Sequence, residues 1–182
     1  MATIYFVRHG KAAAGFDGHH DPGLDETGQQ QAEATARALA PRGPLTVLSS
    51  PLARARETSD ALTRMWGVEA AIEERVAEIP SPTPDLKARS EWLRGFMQSR
   101  WRDQPEELQQ WRNTLAQCLL SLEQDTVIFS HFVAINAAVG LAQQDDRVVV
   151  FRPDNGSVTR LSNADGVLRL IELGREAGTQ VL

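Results

Sequence analysis

Hydrophobic positions along the chain switch between two spacings. Ile4-Tyr5-Phe6-Val7 is a short unbroken apolar run that stops on Arg8-His9-Gly10, the form of a buried strand over Thr3–Arg8. Leu45–Ser49 and Thr126–Ser130 are runs of the same kind, and Val68–Ile72 is a weaker third strand. Between them the spacing lengthens. A helix is predicted from Asp25, a natural N-cap, to Leu39, with Pro41-Arg42-Gly43-Pro44 as its stop. Pro51 predicts the first turn of a helix running to Trp66.

Prolines 80, 82 and 84 exclude helix and central strand, so that stretch reads as loop. Two helices are predicted beyond it. The second repeats Leu108, Trp111, Leu115, Cys118 and Leu122 at steps of three and four. The first has a looser apolar set in Trp92, Leu93, Phe96, Met97 and Trp101. Val133–Leu141 continues as helix, and Val148–Phe151, Ser157–Leu161 and Leu168–Leu173 as strands. The turn Asn163-Ala164-Asp165-Gly166 makes the last pair an antiparallel hairpin. The expectation is one α/β domain over 1–182. Its mainly parallel central sheet is flanked by helices and has an antiparallel edge, with a helical insert at about 84–122.

Composition narrows the function classes. A length of 182 residues is enough to bury a core without disulfide staples. The net charge of -5 argues against a nucleic-acid surface but allows a local basic pocket for a phosphorylated ligand. One cysteine, Cys118, excludes an internal disulfide and a cysteine metal cage. No segment reads as a signal peptide or reaches membrane-spanning length, so the expected location is cytoplasmic, with no membrane partner. Oligomeric state has no sequence signature, since an apolar helix face serves a core or a dimer equally.

Three strands end on polar groups. The first runs into Arg8-His9-Gly10, the second into Ser50-Pro51 with Arg54 just inside the next helix, and the strand 126–130 into His131. Ligands of open α/β sheets bind beyond the carboxyl ends of parallel strands. If these strands are neighbours, two histidines and two arginines share one edge, and guanidinium forks suit phosphate oxygens. Helix N-termini add free N–H groups. The residues alone therefore predict an anion pocket, for phosphate, containing imidazoles.

These motifs carry a resemblance. Val7-Arg8-His9-Gly10, Leu24-Asp25-Glu26-Thr27-Gly28, Ser49-Ser50-Pro51-Leu52-Ala53-Arg54 with Glu57-Thr58, and Phe129-Ser130-His131 resemble, in order, the motifs of the histidine phosphatase superfamily, with its phosphoglycerate mutase-like fold. The resemblance implies that His9 is a nucleophile forming a phosphohistidine. It implies that Arg8, Arg54 and His131, with His9, surround the phosphoryl group. It also implies a general acid and base on the loop after the third strand. Glu78 matches that position, with Glu73 and Glu74 as rivals. No cofactor is implied.

The chain departs from the pattern in two places. Phe132-Val133 stands where the resembled family commonly has glycines, so that Phe132 is expected either to narrow the pocket or to form an apolar wall for the substrate. Lys11-Ala12-Ala13 lacks the residues that follow the glycine in glycolytic mutases, which lowers the mutase reading and resembles the small phosphohistidine-protein phosphatases, although those lack such an insert. The expected activity is metal-independent phosphomonoester hydrolysis. The partner is a phosphorylated small molecule or phosphoprotein. The alternatives are a protein phosphohistidine phosphatase and a non-catalytic phospho-ligand-binding module.

The substrate pocket falls to the loop 11–23, the stretch 79–104 and Phe132, with Lys11, His19 and His20 as candidate contacts. His19-His20-Asp21 invites a zinc reading with His9, but the spacing of metal-binding histidines is missing. Ser49-Ser50 lacks a nucleophile elbow. Trp92, Trp101 and Trp111 read as core ahead of a stacking lid.

Overall fold

The structure is a computed structural model that describes residues 1–15 and 18–178. Six strands form one sheet in the order β3-β2-β4-β1-β5-β6: β1 (Thr3–Arg8), β2 (Thr46–Ser49), β3 (Ala71–Ile72), β4 (Thr126–Ser130), β5 (Val158–Ser162) and β6 (Arg169–Glu172). The first four are mutually parallel, while β5 runs antiparallel to β1 and β6 antiparallel to β5. The α/β class with an antiparallel edge is therefore found. The third strand shrinks to two exposed residues paired with Leu48 and Ser49 at the sheet edge.

Alternation along the central strands divides the core. Ile4, Phe6 and Ile128 face one side, and Tyr5, Val7, Val127 and Phe129 the other. The second side is covered by α1 (Glu26–Leu39) and α2 (Ala53–Trp66), through Ala32, Ala36, Leu39, Ala55, Ala61 and Leu62. The first is covered by α3 (Leu86–Met97), α4 (Glu106–Leu120) and α5 (Phe132–Gln143). Helices α3 and α4 are the expected insert. Its tryptophans form core: Trp101 is buried, stacked on Trp111 and edge-on to Phe96. Helix α5 is buried on nearly every side from Val133 to Gly140, which is why its apolar run lacks amphipathic spacing.

Two local expectations are corrected. Val148–Phe151 is not a strand. The Val150 and Phe151 N–H groups both donate to Oδ1 of buried Asn136 on α5, and the Val148 N–H to the Ser99 carbonyl, so a side chain and a loop satisfy donors that a ladder would have taken. Pro51 precedes its helix instead of opening it. Leu52 is the N-cap of α2, its N–H is held by Ser50 Oγ, and Ala53 N–H donates to Asp21 Oδ1 of the loop between β1 and α1. Asp25 does cap α1, accepting from Gly28 N–H at 2.7 Å. The hairpin turn closes with Asp165 and Gly166 at positive φ, as a tight turn requires. Among the described residues no helix is long and apolar enough to cross a membrane.

Candidate active site

Strand order decides what shares the site. Because β4 lies between β1 and β2, Arg8 pairs with Ser130 and Ser49 with Phe129, so the next residues of all three strands emerge together. His9 N–H donates to the Ser130 carbonyl and Ser50 N–H to the Phe129 carbonyl, extending the ladder into the site. Two glycines let the loops meet there. A Cβ on Gly10 would strike the Gly28 carbonyl, and one on Gly28 the Lys11 carbonyl, so the RHG turn and the start of α1 pack backbone to backbone.

His9 is 8% exposed and held on both ring nitrogens. Nδ1 lies 2.6 Å from the Gly10 carbonyl, and Arg54 Nε donates to Nε2 at 3.1 Å. A guanidinium N–H only donates, so Nε2 must carry the lone pair and Nδ1 the proton. Burial, with the charges of Arg54 and Arg8, pushes the His9 pKa down to about 3. The imidazole is therefore neutral with its basic nitrogen fixed toward a guanidinium, the form in which a histidine can attack an electrophile.

Arg8 donates from Nη1 to the Pro153 carbonyl at 2.8 Å, lies 5.2 Å from the centre of the Phe132 ring, and keeps a buried Nε with no partner among the described residues. Burial lowers the pKa of Arg8 and Arg54, against the pull of the Glu78 charge. His131 is fully buried, its ring centre 5.2 Å from that of His9. Its Nε2 is 2.7 Å from Ser50 Oγ, and its Nδ1 is buried without a partner among the described residues. Burial and the neighbouring His9, Arg54 and Arg8 hold it neutral, well below the usual imidazole range.

Glu78 sits at the start of α5. Its Oε1 accepts from Ile79 and Ala134 N–H, and its Oε2 from Val133 N–H at 3.1 Å. It thus supplies acceptors to a helix N-terminus whose His131 N-cap gives no side-chain bond. The loop carrying it is tied to β4 by Ser130 Oγ, which donates to the Val76 carbonyl at 2.6 Å. Burial raises the Glu78 pKa, opposed by those N–H groups and Arg54. Its rival Glu73 is engaged by Arg75 at 2.7 Å, an ion pair that lowers its pKa, and neither Glu73 nor Glu74 lines the cleft.

Arg8, His9, Arg54, Glu78 and Phe132 line one cleft of about 550 Å³. Lys11, His19 and His20 line its mouth; residues 16 and 17 of that loop lie outside the described residues. Lys11 is ion-paired to Asp25 at 3.3 Å and mostly exposed. His19 and His20 are exposed, and among the described residues no group of three or more His, Cys, Asp or Glu side chains is placed to hold a metal ion.

Sequence reasoning missed three supports. Thr58 Oγ1 accepts from Gly10 N–H and donates to the Arg54 carbonyl, clasping the RHG turn to the helix that carries Arg54. Its only sequence signal was its place in the third motif. Arg89, from α3, lines the cleft and looks in the sequence like any helix arginine. Asn155 also lines the cleft and donates from Nδ2 to the His9 carbonyl at 2.9 Å. Its Asn-Gly pair reads as a plain turn. Replacing Asn155 by Leu keeps much of the shape and removes the donor without adding a charge. If Asn155 positions His9, kcat on an aryl phosphate should fall about tenfold with little change in KM, since small misplacements of a reacting group slow the chemical step. An effect on KM alone would assign Asn155 to substrate binding instead.

Comparison with known proteins adds to this geometry. A protein of Photorhabdus laumondii named "Probable phosphoglycerate mutase GpmB" is 32% identical over 83 residues, 43% of this chain and 39% of its own length. A glucosyl-3-phosphoglycerate phosphatase of Mycolicibacterium vanbaalenii is 37% identical over 82 residues, 43% of this chain and 36% of its own. The matched region thus spans well under half of either curated relative. The structure of phosphoserine phosphatase from Entamoeba histolytica in complex with 3-phosphoglyceric acid superposes with a TM-score of 0.75 at 20% identity, covering 96% of this chain and 98% of that one, a likeness of fold. The profile of the histidine phosphatase superfamily (branch 1) matches residues 4–175. A match of that extent, over a sheet that gathers the motif residues at one edge, makes the chain a member of the histidine phosphatase superfamily.

Proposed function

We propose that the protein is a metal-independent phosphomonoester hydrolase working through a phosphohistidine on His9. The observation that carries this reading is the Arg54 Nε bond to His9 Nε2, which fixes a neutral imidazole with its lone pair beside two guanidiniums. Names among the relatives and similar structures, glucosyl-3-phosphoglycerate phosphatase and phosphoserine phosphatase, agree with phosphate-ester hydrolysis.

In the first step the Arg54 N–H shifts its hydrogen bond from Nε2 to a phosphoryl oxygen, the freed Nε2 lone pair attacks phosphorus, and the P–O bond to the alcohol breaks. Protonated Glu78 gives its proton to the leaving oxygen, a role suited to a carboxyl whose pKa is raised. In the second step water attacks phosphorus, the carboxylate takes the water's proton, and the N–P bond breaks to release phosphate and free His9. Arg8 and Arg54 balance the charge on the phosphoryl oxygens, as does a donor from His131. A carboxyl poised for proton transfer favours turnover over a phosphate-binding module without catalysis.

The test is hydrolysis of phenyl phosphate in excess EDTA. Turnover is expected. Activity that is lost to chelator and restored by zinc would overturn metal independence, and no hydrolysis under either condition would overturn the phosphatase reading.

A further inference from the structure

Ser49 and Ser50 have no nucleophile elbow around them, and neither lines the cleft, yet both are fully buried. Ser49 Oγ donates to the Ser50 carbonyl at 2.9 Å, and Ser50 N–H donates to the Phe129 carbonyl, so the backbone of Ser50 is held on both sides. Its Oγ then stands between two groups. It accepts from the N–H of Leu52, the N-cap of the helix that carries Arg54, at 3.2 Å, and lies 2.7 Å from His131 Nε2.

His131 is fully buried and neutral, so one ring nitrogen holds a proton and the other a lone pair. If Nε2 held the proton, it would donate to Ser50 Oγ. The buried hydroxyl proton would then have no other acceptor among the described residues, and the Nδ1 lone pair would also be unpaired. If Nε2 holds the lone pair, the hydroxyl donates to it, Oγ keeps the Leu52 N–H, and only Nδ1–H is left open. The second arrangement pairs more of the buried groups. It also leaves open a donor, on a ring whose centre is 5.2 Å from that of His9. His9 is the same tautomer put to the opposite use, its Nδ1 proton held by the Gly10 carbonyl and its Nε2 lone pair turned to the reaction.

We propose that Ser50 is a positioning residue of the reaction: its hydroxyl, donating to His131 Nε2, holds His131 as the Nδ1–H tautomer, so that His131 meets the phosphoryl oxygens as a hydrogen-bond donor. This rests on the phosphatase reading above. Because the same Oγ holds the N-cap of α2, the donor of His131 and the guanidinium of Arg54 are set from one atom.

Tautomer and turnover together test it. Long-range proton–nitrogen correlation spectra, on protein labelled with nitrogen-15 in its histidine rings, show which nitrogen of each imidazole is protonated. The chain has four histidines, and the pattern missing from His131→Gln is that of His131. Wild type should show His131 protonated on Nδ1 with a bare Nε2; protonation on Nε2 would overturn the proposal before any kinetics. In Ser50→Ala the pattern should move toward Nε2–H. The kcat on phenyl phosphate should fall about 10- to 100-fold with KM changed less, short of the roughly 10²- to 10³-fold cost of deleting a whole transition-state donor, because the imidazole itself stays. A fall in kcat with the His131 tautomer unmoved would leave Ser50 a structural role only and overturn the proposal, as would an unmoved kcat. The spectra report on folded molecules, so a loss of folded protein does not imitate the expected change. If wild type hydrolyses no phenyl phosphate, the phosphatase reading is removed and the role of Ser50 in the reaction with it, whichever tautomer the spectra show.

Discussion

Replacing His9 by glutamine is expected to lower kcat on every phosphomonoester by roughly 10³-fold or more and to abolish a phosphorylated enzyme species, because His9 is the neutral imidazole of the cleft whose Nε2 is fixed beside Arg54. The measurement is rapid quench with radiolabelled phosphate ester. Wild type should yield a label that survives alkali and is lost in acid, as a phosphoramidate bond is, and the variant none. Label retained in the variant would move the nucleophile elsewhere.

The same substitution has a second consequence, in stability. Folded His9 titrates near about 3, below its ordinary value of 6.5. Between those two values the unfolded chain binds a proton that the folded chain refuses, so wild-type stability falls as pH drops through that window. His9→Gln removes this contribution, and its acid unfolding midpoint should move to lower pH. His131, also held low, keeps its share of the same sign in both proteins. Raised Glu78 acts oppositely: its stabilising proton is lost as pH rises through its folded value.

Replacing Glu78 by glutamine should separate substrates by leaving group. An alkyl phosphate expels a strongly basic alkoxide that needs a proton, so its turnover should fall about 10²- to 10⁴-fold. 4-Nitrophenyl phosphate, whose leaving group needs little protonation, should lose far less in its first step. Wild-type turnover of the alkyl ester should also decline as pH rises past the raised Glu78 pKa, a limb absent in the variant. Glutamine is the better probe because Glu78 also accepts three backbone N–H bonds, from Ile79 and from Val133 and Ala134 of α5; the glutamine oxygen can keep the two that Oε1 takes, whereas alanine would strip all three donors at a cost of about 1–3 kcal/mol each. If glutamine spares both substrates, the proton comes from another group.

Glu78 shows how far the sequence went. Its position after a weak strand and before a proline-rich loop singled it out from Glu73 and Glu74. What raises its pKa is burial against the start of α5, a helix 54 residues further along the chain, and no local pattern encodes that contact. The misread strand at 148–151 has the same origin. Its apolar residues are buried as a strand's would be, but the Asn136 amide, fourteen residues earlier, takes the hydrogen bonds. Burial pattern constrains side chains only; backbone donors go to whichever acceptor the tertiary fold presents.

By itself the sequence determined the apolar runs that become β1, β2 and β4, the Asp25 cap and proline stop that bound α1, and the polar groups at the strand ends. These follow from local spacing and backbone preference, which act over a few residues. Only the tertiary structure decided that β4 lies between β1 and β2, which brings Arg8, His9, Arg54 and His131 within reach of one another. It alone placed Arg89 of the insert and Asn155 of the turn before β5 in the same cleft. Strand order and helix docking are set by how two faces of a sheet are covered at once, a global packing condition that no short window of sequence contains.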